Sequence, residues 1–257
     1  MSGSIASVAP QKRANEKRHN NEAVWVNISR RNLVIGGGAF LCAPRLLADP
    51  VSTLSKPGPA KPSLLSTPPG KSLGFDVMRK GSKIGTHVLT FDQQGDNLTV
   101  HVDVELKVGL GPIVLFRYTH HATEVWMGGQ LVSLDTVTND DGAPNKVTGR
   151  RTAEGFKVEG TKARLYTAPD DALPATHWNR KMLDGPMINT QDGRLMRPKI
   201  TPMGNDLIPV AAGGKIPAQH FAMSGDAILD TYYDGTPNWV GLNFKAGDGS
   251  LILYERV

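Results

Sequence analysis

Between Asn97 and Val108 the chain alternates without a miss. Leu98, Val100, Val102, Val104, Leu106 and Val108 take every second position, and Thr99, His101, Asp103, Glu105 and Lys107 fill the places between them. Successive side chains of a strand point to opposite faces, so this segment has one apolar and one polar side. A helix would scatter the same residues around its circumference. The arrangement that suits such a strand is an antiparallel sheet with one face wet. The pattern recurs downstream. Turn signals at Gly95-Asp96-Asn97, Gly128-Gly129, Asp141-Gly142, Asp192-Gly193, Gly213-Gly214, Asp234-Gly235 and Gly247-Asp248-Gly249 punctuate the chain. Between them lie β-branched and aromatic segments at 84–92, 112–127, 130–139, 145–151, 226–234, 238–246 and 250–257. The length of 112–127 implies a bent strand or a curved sheet. One short helix is predicted over 176–183, with Thr176 as N-cap and Gly185-Pro186 as the stop. The predicted fold class is all-β, mainly antiparallel: a large curved sheet or open barrel with one short helix.

The chain before this region reads differently. Residues 1–31 are polar and basic, Leu33 to Leu47 are apolar around Gly36-Gly37-Gly38, and Ala48 offers a small residue for signal-peptidase cleavage. At the boundary, Ser29-Arg30-Arg31-Asn32-Leu33-Val34-Ile35 resembles the twin-arginine export consensus, with Arg30 and Arg31 as its core. The expected organisation is a signal peptide over 1–48, a Pro-rich linker over 49–72 and a single antiparallel β domain over 73–257. The expected location is the periplasm, after cleavage. The expected partner during export is the twin-arginine translocase, which carries folded cargo.

Charge and cysteine follow the same division. The 257-residue chain has a formal net charge of +5. Residues 1–48 hold seven basic side chains against two acidic ones, which accounts for the whole excess. A balanced remainder carries no electrostatic footprint for a phosphate backbone, so nucleic acid is not an expected partner. The single cysteine, Cys42, also lies before Ala48, so the mature domain can form neither a disulfide nor a thiolate metal site. No apolar stretch reaches the length of about 18 residues needed to span a bilayer as a helix, and no stable span is expected in the mature form.

Four motifs carry a family resemblance: Gly81-Ser82-Lys83-Ile84-Gly85, Glu124-Val125-Trp126-Met127-Gly128-Gly129-Gln130-Leu131, His177-Trp178-Asn179 and Tyr232-Tyr233-Asp234. In these the region from Leu73 to Val257 resembles the exported bacterial family named domain of unknown function 6134 and, more distantly, family 3108. The resemblance implies architecture: a large curved antiparallel sheet or open barrel, similar in outline to envelope folds that handle lipids and lipoproteins. It brings no catalytic residue with it.

The chemistry-bearing residues do not assemble into a known motif. Pro69-Gly70-Lys71-Ser72 ends like a phosphate loop, but Leu65 stands where the first glycine belongs. His120 and His121 are adjacent and on a strand face opposite ways, so they cannot share an ion. A metal would need help from His101 or His220 on other strands. No nucleophile elbow is present. His177, Asp230 and Asp234 are candidates to meet in space. The aromatic residues Trp126, Trp178, Tyr232, Tyr233 and Trp239 read as core more than as a ligand platform. No metal and no cofactor is expected.

The expected function is non-enzymatic binding of an apolar or amphiphilic ligand, such as a lipid, on the concave face of the sheet. The candidates for that face are Val102, Val104, Phe116, Tyr118, Trp126 and Phe244, and Val240 and Leu242 share the period of Phe244. With only one short helix, the chain offers little to roof a broad sheet. It must close and fill itself or leave a cavity. The alternatives are a hydrolase acting on envelope carbohydrate or lipid, and a ligand-free scaffold.

Overall fold

A computed structural model describes residues 65–110, 113–236 and 238–257. Arg30, Arg31, Ala48, and with them the expected signal peptide and most of the linker, lie outside the described residues. The linker's end is already part of the fold, because Leu65 packs against the core and Pro68 is buried.

Thirteen strands form one antiparallel sheet that does not close. Its first eight are consecutive: β1 (Ser72–Arg79), β2 (Ser82–Gln94), β3 (Asn97–Leu110), β4 (Ile113–Met127), β5 (Gln130–Asp140), β6 (Ala143–Thr152), β7 (Gly155–Gly160) and β8 (Ala163–Ala168). The chain then leaves the sheet for three two-residue strands, β9 (Leu173–Pro174), β10 (Met187–Ile188) and β11 (Leu195–Met196), which form a small sheet of their own. It returns for β12 (Lys199–Pro209), β13 (Lys215–Ser224), β14 (Leu229–Tyr233), β15 (Trp239–Lys245) and β16 (Leu251–Arg256). The spatial order runs β12 to β16 and then β1 to β8, so β16 pairs with β1 and joins the two halves.

The tight hairpins follow from their turn residues. Lys80-Gly81, Gly128-Gly129 and Asp141-Gly142 have positive φ at both central positions. That geometry matches the twist of the flanking strands. Gly85 answers a different need. A Cβ there would strike the Glu105 carbonyl of the neighbouring strand, so the glycine of the first family motif lets β3 approach.

The alternation of β3 is realised as read: Leu98, Val100, Val102, Val104 and Leu106 are buried, and the residues between them are exposed or half-buried. The strands at 155–160, 163–168, 199–209 and 215–224 were not legible in the pattern. Among them, β12 carries Pro202, Gly204 and Pro209, and its pairing shifts register between Pro202 and Gly204. The expected face of β15 is split. Leu242 and Phe244 enter the main core, while Val240 joins a second small cluster with Ile208, Ala218 and Tyr232. The reason is a bulge: Tyr232 pairs with Gly241 and Tyr233 with Trp239, so Val240 is the extra residue. The end of β12 returns to β16 through a Val210–Arg256 bridge beside that cluster.

The expected helix is shorter and tighter than read, and starts later. Residues 180–184 form a 3-10 turn with Asn179 as its N-cap, accepting from the Lys181 amide at 3.2 Å. His177, at φ 66°, breaks any helical start at Thr176. The roof therefore comes from irregular backbone. Residues 169–198 cross the concave face as a strap and bury Ala172, Trp178, Met182, Met187, Ile188 and Met196 in the core of the sheet.

Candidate functional site

The strap is anchored by side chains, and Glu124 is its main post. Inward-facing on β4, Glu124 is fully buried. Its carboxylate accepts from Thr176 Oγ1 at 2.6 Å, Trp178 Nε1 at 3.0 Å and, on its own strand, Trp126 Nε1 at 2.9 Å. Burial pushes its pKa above the usual carboxylate range, and these three hydrogen bonds pull the other way. Further along, Thr136 donates to the Thr190 carbonyl at 2.6 Å and Tyr166 to the Gly193 carbonyl at 2.9 Å. Gly160 and Gly193 let strap and sheet backbones touch, since a Cβ on either would collide with the other's backbone.

His177 holds the middle of the strap. Its ring stacks on Trp239 with centroids 5.1 Å apart and an interplanar angle of 22°. Its carbonyl accepts from Tyr233 Oη at 2.9 Å, and Thr231 Oγ1 lies 3.4 Å from Nδ1. A non-glycine residue in the left-handed region costs about 1–3 kcal/mol, which these contacts offset.

Between strap and sheet remains a cavity of about 50 Å³. Its sheet side is formed by His87 of β2, Val102 and Val104 of β3, Tyr118 and His120 of β4, Met223 of β13 and Leu229 of β14. Three strands separate β14 from β2 in the sheet order, so the sheet must curve strongly to bring both to one space. The strap contributes Ala175, Thr176, His177, Met187, Asn189, Thr190, Gln191 and Met196. Burial keeps the three histidines uncharged. His120 falls to about 4, with the neighbouring His121 as a lesser cause, and His177 falls to about 3. His87 lies well below its ordinary value through burial, with His177 and His120 adding to it. His120 also shares hydrogen bonds with Thr138 at 2.7 Å and Thr190 at 3.4 Å. No group of three ligating side chains that could hold a metal is gathered among the described residues.

Of the residues proposed for the ligand face, Val102, Val104 and Tyr118 come together at this cavity. Trp126 is buried at the Glu124 post, Phe244 lies in the core, and Phe116 is half-buried near the tip of the β3–β4 hairpin. His120 and His121 point opposite ways as expected, and His121 pairs outside with Asp103 at 2.6 Å. The proposed meeting of His177, Asp230 and Asp234 does not occur. Asp230 bonds His220 at 3.0 Å, and Asp234 is held within its turn by Thr236 and Asn238, while the buried Thr231 faces His177. The histidine His87 was missed although its signal was present, since it shares the period of the buried Leu89 and Phe91. The strap's methionines had no periodic signal to find.

Fold and site together define an open, strongly curved β-sheet protein whose concave face is covered by its own irregular strap. The chain belongs to the family "Domain of unknown function (DUF6134)", which it matches over residues 75–257. In fold it is similar to a beta-barrel-like protein of domain of unknown function DUF1849 from Brucella abortus, at a TM-score of 0.50 and 9% identity over 72% of this chain and 94% of that one. No curated protein sequence matches it.

Proposed function

We propose that the chain is exported to the periplasm by the twin-arginine translocase, cleaved after Ala48, and acts there as a non-enzymatic binding protein for an apolar or amphiphilic ligand. The observation that carries this reading is the two-sided lining of the cavity. Uncharged His87, His120 and His177 stand with Thr190 and Asn189 as hydrogen-bonding groups, and Met187, Met196, Met223, Val102 and Leu229 supply apolar surface. At about 50 Å³ the space holds only a few waters, far below the roughly 300–1,000 Å³ of a typical small-molecule site. A ligand therefore enters by moving the strap. Methionines suit that role because their unbranched, polarizable side chains refill irregular space. His120 meets the Thr138 hydroxyl and His177 the Thr231 hydroxyl, which favours a hydrogen-bonding role over general acid–base work.

Two measurements test this. Replacing Arg30 and Arg31 together with Lys should leave an uncleaved precursor in the cytoplasm. For the ligand, the protein should bind an apolar fluorescent probe and release a lipid on solvent extraction. Ala175→Leu, which fills the cavity, should weaken probe binding by about tenfold or more, about 1.4 kcal/mol. A folded protein that binds no probe and yields no lipid leaves the ligand-free scaffold in its place.

A further inference from the structure

The tip of the β3–β4 hairpin breaks the rule that the rest of the sheet obeys. Along β3 and β4 the outer face carries His101, Asp103, Glu105, Lys107, Arg117, Thr119 and His121. Beyond the rung where Lys107 pairs with Arg117, both faces become apolar. Ile113 and Leu115 are 61% and 63% exposed, Val114 is exposed as well, and the sequence from Val108 to Phe116 holds no polar side chain. Soluble surfaces rarely concentrate large exposed aliphatic residues in one place without a use for them.

Two cations stand side by side at the base of the tip, with Asp141 and Glu105 near them. Lys107 and Arg117 are exposed cross-strand partners, and neither forms an ion pair among the described residues. Nearby Lys83 is already paired with Asp76 at 2.6 Å. Asp141 directs its carboxylate to the Arg117 backbone amide at 3.3 Å, and Arg117 itself is exposed. From Arg117 to Ile113 is four residues of strand, about 13 Å. Interfacial segments bury their apolar side chains about 5–10 Å into the headgroup–acyl boundary. A tip of this reach places its aliphatic end among acyl chains while two cations stand at the level of the phosphates.

We propose that this hairpin tip docks the protein on an anionic lipid surface, with Ile113, Val114 and Leu115 entering the acyl boundary and Lys107 and Arg117 meeting the phosphates. This surface is separate from the strap cavity, and either can fail without the other.

The test uses the full chain throughout, so that the basic residues before Asp49 contribute equally to every variant. An Ile113→Trp reporter is mixed with phosphatidylcholine vesicles containing about one third phosphatidylglycerol, with and without brominated acyl chains. The reporter is carried in a Trp25→Phe background, and its indole is expected to be quenched by the brominated chains, a readout that the leader then cannot mimic. Leu115→Asp is expected to weaken binding to the same vesicles by more than about tenfold. Lys107→Gln and Arg117→Gln are each expected to weaken it about fivefold. All four positions are exposed, and unchanged thermal unfolding confirms the fold. An unquenched tip, equal binding by Leu115→Asp, equal binding to vesicles of phosphatidylcholine alone, or docking of the tip on a protein in place of the vesicles overturns the proposal.

Discussion

The meander of β1 to β8 and the strap of residues 169–198 are held by opposite means. In the meander, each strand is bonded along its length to the next, and apolar side chains fall inward by period. In the strap, three two-residue strands and a 3-10 turn supply little backbone pairing. Besides the apolar side chains it buries in the core, it is fastened by a few polar ones: Glu124, Thr136, Tyr166 and Tyr233 reaching to Thr176, Trp178, Thr190, Gly193 and His177. Backbone ladders average over many bonds, whereas a strap held by a few buried groups depends on each of them. The lesson is that the sheet should tolerate single changes that release the strap.

Acid should produce the largest effect. The three cavity histidines are neutral in the folded protein and take up protons in the unfolded chain below about pH 6.5. The unfolded state therefore binds more protons as pH falls, and stability drops from about 6.5 down through the folded values near 4 for His120 and 3 for His177. Each histidine contributes a slope of up to about 1.4 kcal/mol per pH unit. Glu124 opposes this, because its raised value lets the folded state take up a proton early. Hydrogen exchange followed from pH 7 to 4 should show the strap losing protection before β2–β4, and His177→Gln should flatten the slope of stability against pH.

Next comes the post itself. Glu124→Ala removes one carboxylate and strands three buried donors, Trp126, Trp178 and Thr176. At about 1–3 kcal/mol for each unsatisfied group, partly relieved by entering water, a loss of about 3–4 kcal/mol is expected in urea unfolding. Exchange protection should collapse over 169–198 and persist over β1 to β8. Uniform loss of protection would show the two regions to be a single cooperative unit.

The smallest effect belongs to the outer face of the same strand. His121→Ala removes an exposed pair with Asp103 and should change stability by less than about 0.5 kcal/mol. Three positions along one strand, from His121 to Glu124, thus separate a surface pair from the group that fastens the strap.

The same contrast explains what could be read from the residues. Val102 and Val104 were legible because a half-wet antiparallel strand imposes its period on sequence. His120, Glu124 and His87 obey the same rule, although the inward places of Glu124 and His87 were not read from it. The strap obeys no period. Thr176 looks like a helix cap and instead bonds Glu124 across the core. Met187 and Met196 reach the cavity from two-residue strands too short to carry a pattern. Val240 was placed on the wrong face because it is itself the extra residue of a bulge, which puts it out of step with Leu242 and Phe244 and leaves no mark in composition.

The position of β16 bears on how the protein is made. Residues 251–256 pair with β15 on one side and with β1, some way behind them in the chain, on the other. During synthesis β1 emerges early and its outer edge stays open until β16 leaves the ribosome. Only then can the two half-sheets be sewn together. Assembly thus waits for β16, and the pairing that completes it has a large sequence separation, which makes it intrinsically slow. A chain stalled or clipped before Leu251 would carry two unpaired strand edges in place of one seam, the kind of edge on which chains aggregate.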